Sequence, residues 1–351
     1  MMIIGLCYDL RDDYLMMGYS EEETAEFDRI STVEAIEKEL QNMGFDTRRI
    51  GHIMSLTEKL ALGERWDMVF NICEGLYGTG REAQVPALLD AYRIPYVFSG
   101  PLVMAMTLDK ALTKLVVKDA GVDTPWHFVV TTSKDVEKEL LPFPLFAKPL
   151  AEGTGKGISS QSVITGKHQL KIICRKLIKK FKQPVLVEKF LSGREFTAGI
   201  VGTGDDARCI GVMEIILNHK AEQRVYSYTN KEECEERVEY VLPPDEDIRK
   251  CKQLALKAWK AIKAEDAGRI DIRYDEFNVP NFLEVNPLAG LHPEHSDLPI
   301  LARLNGIEYP ELMRMIMKSA LKKLRTTGTY ETSMISANAY THEQKHGGSP
   351  A

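Results

Sequence analysis

The apolar run over 3–8 predicts a buried strand. Residues 31–43 follow with Val33, Ile36 and Leu40 spaced three and four apart, which predicts a helix. The alternation continues through a strand at 68–72, a helix over 83–92 and a short strand at 96–98, and stops at a turn, Ser99-Gly100-Pro101. This order predicts an α/β domain over residues 1–102.

Beyond the turn, the pattern predicts a helix over 108–120, strands at 126–130 and 145–148, a basic helix over 167–181 and a strand at 184–188. The second of those strands runs into Glu152-Gly153-Thr154-Gly155-Lys156-Gly157, a glycine-rich loop. Two further strands flank Gly202-Thr203-Gly204, and a helix over 248–262 carries Leu254, Ala255, Ala258, Trp259 and Ile262 on one face. Apolar periodicity fades near Arg325, so the expected units are 1–102, 103–188, 189–325 and a flexible tail over 326–351.

Composition narrows the class. The 351 residues are 44% hydrophobic and 27% charged, values of a globular chain, and the formal charge of -6 gives no overall basic field for a phosphate backbone. Nucleic acid is therefore not an expected partner. The six cysteines, Cys7, Cys73, Cys174, Cys209, Cys234 and Cys251, lie far apart, which fits free thiols in a reducing compartment. Charge arrives at Asp9 and Arg11, too early for a signal peptide, and no apolar run is long enough to cross a bilayer. A cytoplasmic location with no membrane partner is the expectation.

Two glycine loops are candidates for chemistry. Gly75-Leu76-Tyr77-Gly78-Thr79-Gly80-Arg81-Glu82 has P-loop-like glycine spacing but lacks the lysine and hydroxyl that the motif requires. The loop at 152–157 also fails the motif, because Gly157 follows Lys156. Its three glycines can still turn backbone N–H groups toward an anion, with Lys148 adding charge, and a plain hairpin tip is the competing reading. The first strand carries no dinucleotide fingerprint.

The strongest pattern lies near the C-terminal end. Gly268 to Tyr274 alternates, putting Arg269 and Asp271 on one face and Ile270 and Ile272 on the other. After a turn over 275–280, the return strand 282–286 should place Glu284 and Asn286 opposite Leu283 and Val285. If the polar faces meet, Asp271, Glu284 and Asn286 offer hard oxygen ligands of the kind that hold magnesium at phosphoryl-transfer sites, with Arg269 beside them.

Five segments, Leu108-Asp109-Lys110, Phe146-Ala147-Lys148-Pro149, Val187 to Glu195, Arg269-Ile270-Asp271 and Leu283 to Asn286, together resemble the D-alanine-D-alanine ligase branch of the ATP-grasp superfamily. The resemblance covers roughly residues 1–325. It implies a doubly wound α/β domain followed by two domains whose antiparallel sheets sandwich ATP. It further implies a carbon-nitrogen ligase that joins a carboxylate to an amine of amino acids or small peptides through an acyl phosphate, releasing ADP and phosphate. Two magnesium ions, with manganese as an alternative, and a homodimer are implied as well. By position, Lys110, Lys148 and the loop residue Lys231 should contact phosphates, Lys189 and Leu191 should offer backbone groups to adenine, and Glu188 and Glu195 should hold the adenine amine and the ribose. Asp271, Glu284 and Asn286 match the metal ligands, Arg269 and the Gly290 amide match the oxyanion stabilisers, Thr154 takes a serine's place, and Glu26 matches the amino-binding glutamate. The loops at 152–157 and 226–236 are the expected lids.

The substrate side departs from the family pattern. Glu74 replaces the histidine of a His-Gly pair, the loop 78–82 carries Arg81 and Glu82, Glu232 replaces a tyrosine, and His295, beside Ser296, falls at a serine position. Each has a plainer reading: Arg81 and Glu82 as a helix start, Glu232 as a solvated acid, His295 as a loop residue. Read as functional, they predict that D-alanine is not the best substrate at both positions and that one substrate is larger or differently charged. The alternative to an enzyme is a catalytically silent ATP-binding module of ligase ancestry.

Overall fold

The computed structural model describes residues 1–132, 134–137, 142–221, 225, 230 and 234–327. The expected tail lies outside them from residue 328 onward. The chain begins with β1 (Ile3–Tyr8), α1 (Arg11–Met16), α2 (Ile30–Asn42), β2 (Asp46–Gly51), α3 (Ile53–Ala61), β3 (Met68–Ile72) and α4 (Gln84–Ala91). The three strands form a parallel sheet in the order β2-β1-β3. Strand alternation sends Ile4, Leu6, Met68 and Phe70 to the face covered by Val33, Ile36 and Leu40 of α2. Cys7 and Val69 face Leu56, Leu60, Val85 and Leu89 of α3 and α4 on the other side. Helices on both faces make this sheet doubly wound.

The expected strand at 96–98 is a single bridge: Val97 N–H donates to the Val69 carbonyl and Val69 N–H to the Pro95 carbonyl, and Phe98 then leaves at φ 78°. The expected turn at 99–101 is the start of α5 (Pro101–Leu108), with Pro101 in the first turn where its missing N–H costs nothing. The helix expected over 108–120 starts two residues later, because Leu108 ends α5 and Asp109 separates the two helices. The Asp109 carboxylate accepts from the N–H groups of Ala111 and Leu112 and so caps α6 (Lys110–Asp119).

Four antiparallel strands follow, β4 (His127–Val130), β5 (Leu145–Pro149), β6 (Val163–Ile164) and β7 (Val185–Lys189), in the order β4-β7-β5-β6 with α7 (Lys167–Phe181) packed on one face. The remaining elements are β8 (Glu195–Val201), β9 (Arg208–Leu217), α8 (Cys234–Arg237), β10 (Val238–Val241), α9 (Asp245–Ile262), β11 (Ala267–Tyr274), β12 (Pro280–Asn286), α10 (Asp297–Leu304) and α11 (Tyr309–Thr327). Their five strands form a second antiparallel sheet in the order β10-β9-β8-β11-β12. The apolar face of α9 covers it, burying Leu254, Ala255, Ala258 and Trp259 against Phe196, Ile200, Ile270 and Ile272. Acids Asp245, Glu246 and Asp247 sit in the first turn of α9 and Lys260 in its last, each complementing the helix dipole. Helix α11 returns to the first sheet, where Leu312, Met313 and Ile316 share one core with Ile4 and Val33. Among the described residues no helix is long and apolar enough to cross a membrane.

Strand β12 departs from strict alternation. The register pairs Asp271 with Glu284 and Ile272 with Phe282, so Leu283 is an extra residue in a bulge. Phe282 enters the core at 0% exposure, and Leu283 turns to line the cleft beside Glu284 rather than the apolar face expected for it. Past the bulge Val285 stays in the core as expected.

Among the described residues Trp259 is the largest fully buried side chain, and its indole N–H donates to the Gly202 carbonyl at 3.1 Å. Trp259→Ala removes both the packing and the donor, so a loss of about 3–5 kcal/mol in unfolding free energy is expected by chemical denaturation. A loss under about 1 kcal/mol would contradict the packing described.

Candidate active site

The loop after β5 and the two antiparallel sheets enclose a narrow cleft lined by Lys110, Lys148, Glu188, Leu191, Glu195 and Asp271, among others. It shares Lys110, Glu152 and Glu284 with a second, larger cavity of about 670 Å³ bounded by the first unit. The shared residues place a charged wall between two adjoining spaces.

That wall is made by paired strands. The register sets Arg269 opposite Asn286 and Asp271 opposite Glu284, the convergence expected from alternation. Arg269 pairs with Asp271, approaches Asp297 at 3.7 Å, and donates to the Asn286 amide oxygen at 3.2 and 3.3 Å. Asp271 also accepts from Thr197 Oγ1 at 2.9 Å. Burial works against the Arg269 charge, but Asp271 and Asp297 outweigh it and hold the guanidinium above its ordinary pKa. Among the described residues no three His, Cys, Asp or Glu side chains cluster as a metal cage. Two carboxylates and one amide remain, a hard oxygen set that fits magnesium completed by phosphate oxygens.

Two lysines, Lys110 and Lys148, face this wall through Glu284, and a third, Lys114, pairs with Glu188. Lys148 on β5 lies 3.3 Å from Glu188 and 3.7 Å from Glu284, and Lys110 lies 3.8 Å from Glu284 while donating to the Glu152 carbonyl at 2.6 Å. Lys114, not anticipated from the sequence, is fully buried, with Glu188 at 3.2 Å and contacts to Thr124 Oγ1 and the Phe282 carbonyl. Burial lowers its pKa to about 8 despite Glu188. Burial also lowers Lys110, only partly offset by Glu284, whereas for Lys148 the attraction of Glu188 and Glu284 wins and raises the pKa. For Glu188, Lys114 and Lys148 outweigh burial and lower it. The visible signal for Lys114 was its place one helical turn from Lys110, on the face that buries Thr113 and Val117.

Glu188 Oε2 is buried and makes no aligned hydrogen bond, although Lys114 is near. An N–H donor on a bound base would satisfy it, so the cleft fits an aminopurine. Leu191 lines the same space, while the Lys189 N–H is already given to the Trp126 carbonyl and its ammonium to Glu276. Glu195 is held by Arg273, which also lies over the Phe190 ring. Lys231 and Glu232 fall outside the described residues, as do 226–229 and 233 of the expected second lid.

On the larger cavity, Gly290, His295, Ser296, Thr154, Glu26, Glu74 and Glu82 all contribute to the lining. A Cβ at Gly290 would come within 2.8 Å of Ser296 Oγ, and that hydroxyl accepts from the His292 N–H. The His292 and His295 rings stack at 4.5 Å. Thr154 adopts φ 51°, a left-handed conformation costly for a β-branched residue, between glycines that tolerate such turns. Glu26 is not an open carboxylate: it binds Arg81 and Lys156 at 2.9 Å each and accepts from the Gly153 N–H at 2.5 Å. Burial raises its pKa, yet Arg81 and Lys156 prevail and hold it at about 2. Arg81, expected as a substrate contact, is spent on Glu26 and on the Ala151 carbonyl at 2.8 Å and is not among the cavity-lining residues.

Comparison with known proteins accords with this arrangement. Residues 116–318 match the family model described as D-ala D-ala ligase C-terminus. The chain is 31% identical over 305 residues to a D-alanine--D-alanine ligase of Aquifex aeolicus, covering 86% of this chain and 98% of that one. It is 32% identical over 277 residues to the corresponding ligase of Bordetella petrii, covering 78% and 81%. Among solved structures, the Bacillus anthracis D-alanine--D-alanine ligase complexed with ATP aligns at TM-score 0.68 and 22% identity over 93% of this chain and 99% of that one. The VanG D-Ala:D-Ser ligase of Enterococcus faecalis aligns at 0.71 and 18% identity, over 91% and 99%. The chain belongs to the D-alanine--D-alanine ligase family and is an ATP-dependent carbon-nitrogen ligase of the ATP-grasp fold.

Proposed function

We propose that the narrow cleft holds ATP, that the larger cavity holds two amino acids or short peptides, and that the chain joins them by an amide bond. The observation that carries this is the charged boundary between the two spaces: Lys110 and Glu284 line both, Lys148 and Asp271 line the narrow cleft, and Asn286 lines the larger cavity. Bound ATP supplies a γ-phosphoryl to one substrate's carboxylate, giving an acyl phosphate that the second substrate's amine attacks with loss of phosphate. Magnesium, as one or two ions held by Asp271, Glu284 and Asn286, supplies positive charge for the phosphate oxygens.

The chain's own residues do the rest. Lys110 and Lys148 leave their carboxylates for phosphate oxygens, and their burial makes each charge count for more than it would in water. Glu188 and the backbone near Leu191 take the base, and Glu195 takes the sugar hydroxyls. Arg269, preset by Asp271 and Asp297, and the Gly290 N–H stabilise the oxyanion that forms when the amine attacks. The loop at 152–157, tied to the first unit through Glu26, keeps water from the reactive acyl group.

The test is amino-acid-dependent release of ADP and phosphate. Arg269→Lys keeps charge but loses the forked geometry, and kcat should fall by about 10²–10³ with little change in the ATP affinity. Lys148→Ala should weaken ATP binding measurably by calorimetry, and Glu284→Gln should abolish most turnover while the thermal transition stays within a few degrees. Product formation like wild type in both variants would remove these residues from the site.

A further inference from the structure

We propose that one of the two amino-acid substrates carries a second positive charge, a side-chain ammonium or guanidinium, seated between the carboxylates of Glu74 and Glu82 in the larger cavity. The inference rests on the ligase reading of the same cavity and narrows its substrate class.

Both glutamates lie in the segment after β3, at the carboxyl end of a parallel sheet, where ligands of open α/β sheets bind. Glu82 is only 9% exposed, yet it lines the cavity. Its ionic neighbour is Arg81 at 3.8 Å, beyond hydrogen-bond length, and the Arg81 guanidinium is already spent on Glu26 and the Ala151 carbonyl. Glu74 lines the cavity too and has no hydrogen bond or ion pair among the described residues. Glu26 differs from both, because Arg81, Lys156 and the Gly153 N–H neutralise it from within the protein. The chain has thus neutralised Glu26 fully from within, holds Glu82 only by the Arg81 contact at 3.8 Å, and leaves Glu74 without a partner among the described residues.

Leaving them so is costly. Burial raises Glu82 to about 7 against the pull of Arg81, and burial with the charges of Glu82 and Glu26 raises Glu74 well above the ordinary carboxylate range. Asp28, on the same cavity, is raised to about 7 by burial and by Asp9. A cation arriving with the ligand offsets this directly, since a buried carboxylate is stable when paired and hydrogen-bonded. Alanine brings one ammonium, which can answer one of these acids. A dibasic amino acid answers two, and a site built for it rejects the simpler analogue because its acids then stay unpaired.

The experiment is a specificity panel with ATP and magnesium saturating and alanine present as the partner substrate. L and D forms of alanine, serine, glutamate, 2,3-diaminopropionate, ornithine, lysine and arginine are compared by ADP release and by product mass. The expected result is a cationic amino acid whose kcat/KM exceeds that of alanine by about tenfold or more. Glu74→Gln and Glu82→Gln should each lower the cationic-to-alanine ratio by about tenfold, a readout that general loss of fold would not move. Alanine or serine as best substrate, or a ratio unmoved by both substitutions, overturns the inference and leaves the ligase reading intact. If no amino acid supports ADP release, the ligase reading fails, and calorimetric binding still decides this one: tighter binding of ornithine than alanine supports it, and equal binding contradicts it.

Discussion

Three lysines and two glutamates packed between two antiparallel sheets are the constraint on which the site depends. Lys110 and Lys114 come from one helix, Lys148 from β5, Glu188 from β7 and Glu284 from β12, so the charges join elements far apart in sequence. An ammonium or carboxylate out of water is costly when alone, and each of these has its counter-ion within 4 Å. The arrangement favours exchange: a polyphosphate can take the lysines from Glu284, and a divalent ion can take Glu284 from the lysines. A site already charged needs little rearrangement to accept ligands of the same kind.

The paired strands explain why this part was legible in advance. Alternation in 268–274 and 282–286 put the polar residues on one face, and the antiparallel register turned that into Arg269 opposite Asn286 and Asp271 opposite Glu284. Leu283 departs from the alternation because a bulge adds one residue without leaving a mark in the hydrophobic pattern. The short strand at 96–98 failed for a related reason, since Phe98 is apolar for its place in the core, not for a ladder. Lys114 escaped notice because a lone lysine on an apolar helix face has meaning only when Glu188 arrives from another sheet.

The substrate side was less readable, and the cause is tertiary. Nothing local to Glu26, Arg81 or Lys156 announces that they form one ion cluster, since they sit on three separate segments. Once they do, Glu26, which still lines the larger cavity, also ties the first unit to the glycine-rich loop, and Arg81 joins it through the Ala151 carbonyl. In the segment after β3, Glu74 and Glu82 line the cavity without being part of that cluster.

The central claim is that a carboxylate oxygen leaves with the γ-phosphoryl group. The most direct measurement uses an amino-acid substrate whose carboxylate carries ¹⁸O, with ATP unlabelled, and reads the released phosphate by ³¹P NMR. Transfer of one ¹⁸O into inorganic phosphate for each amide formed is the predicted result. Unlabelled phosphate accompanying amide formation, or label appearing in AMP, would contradict it.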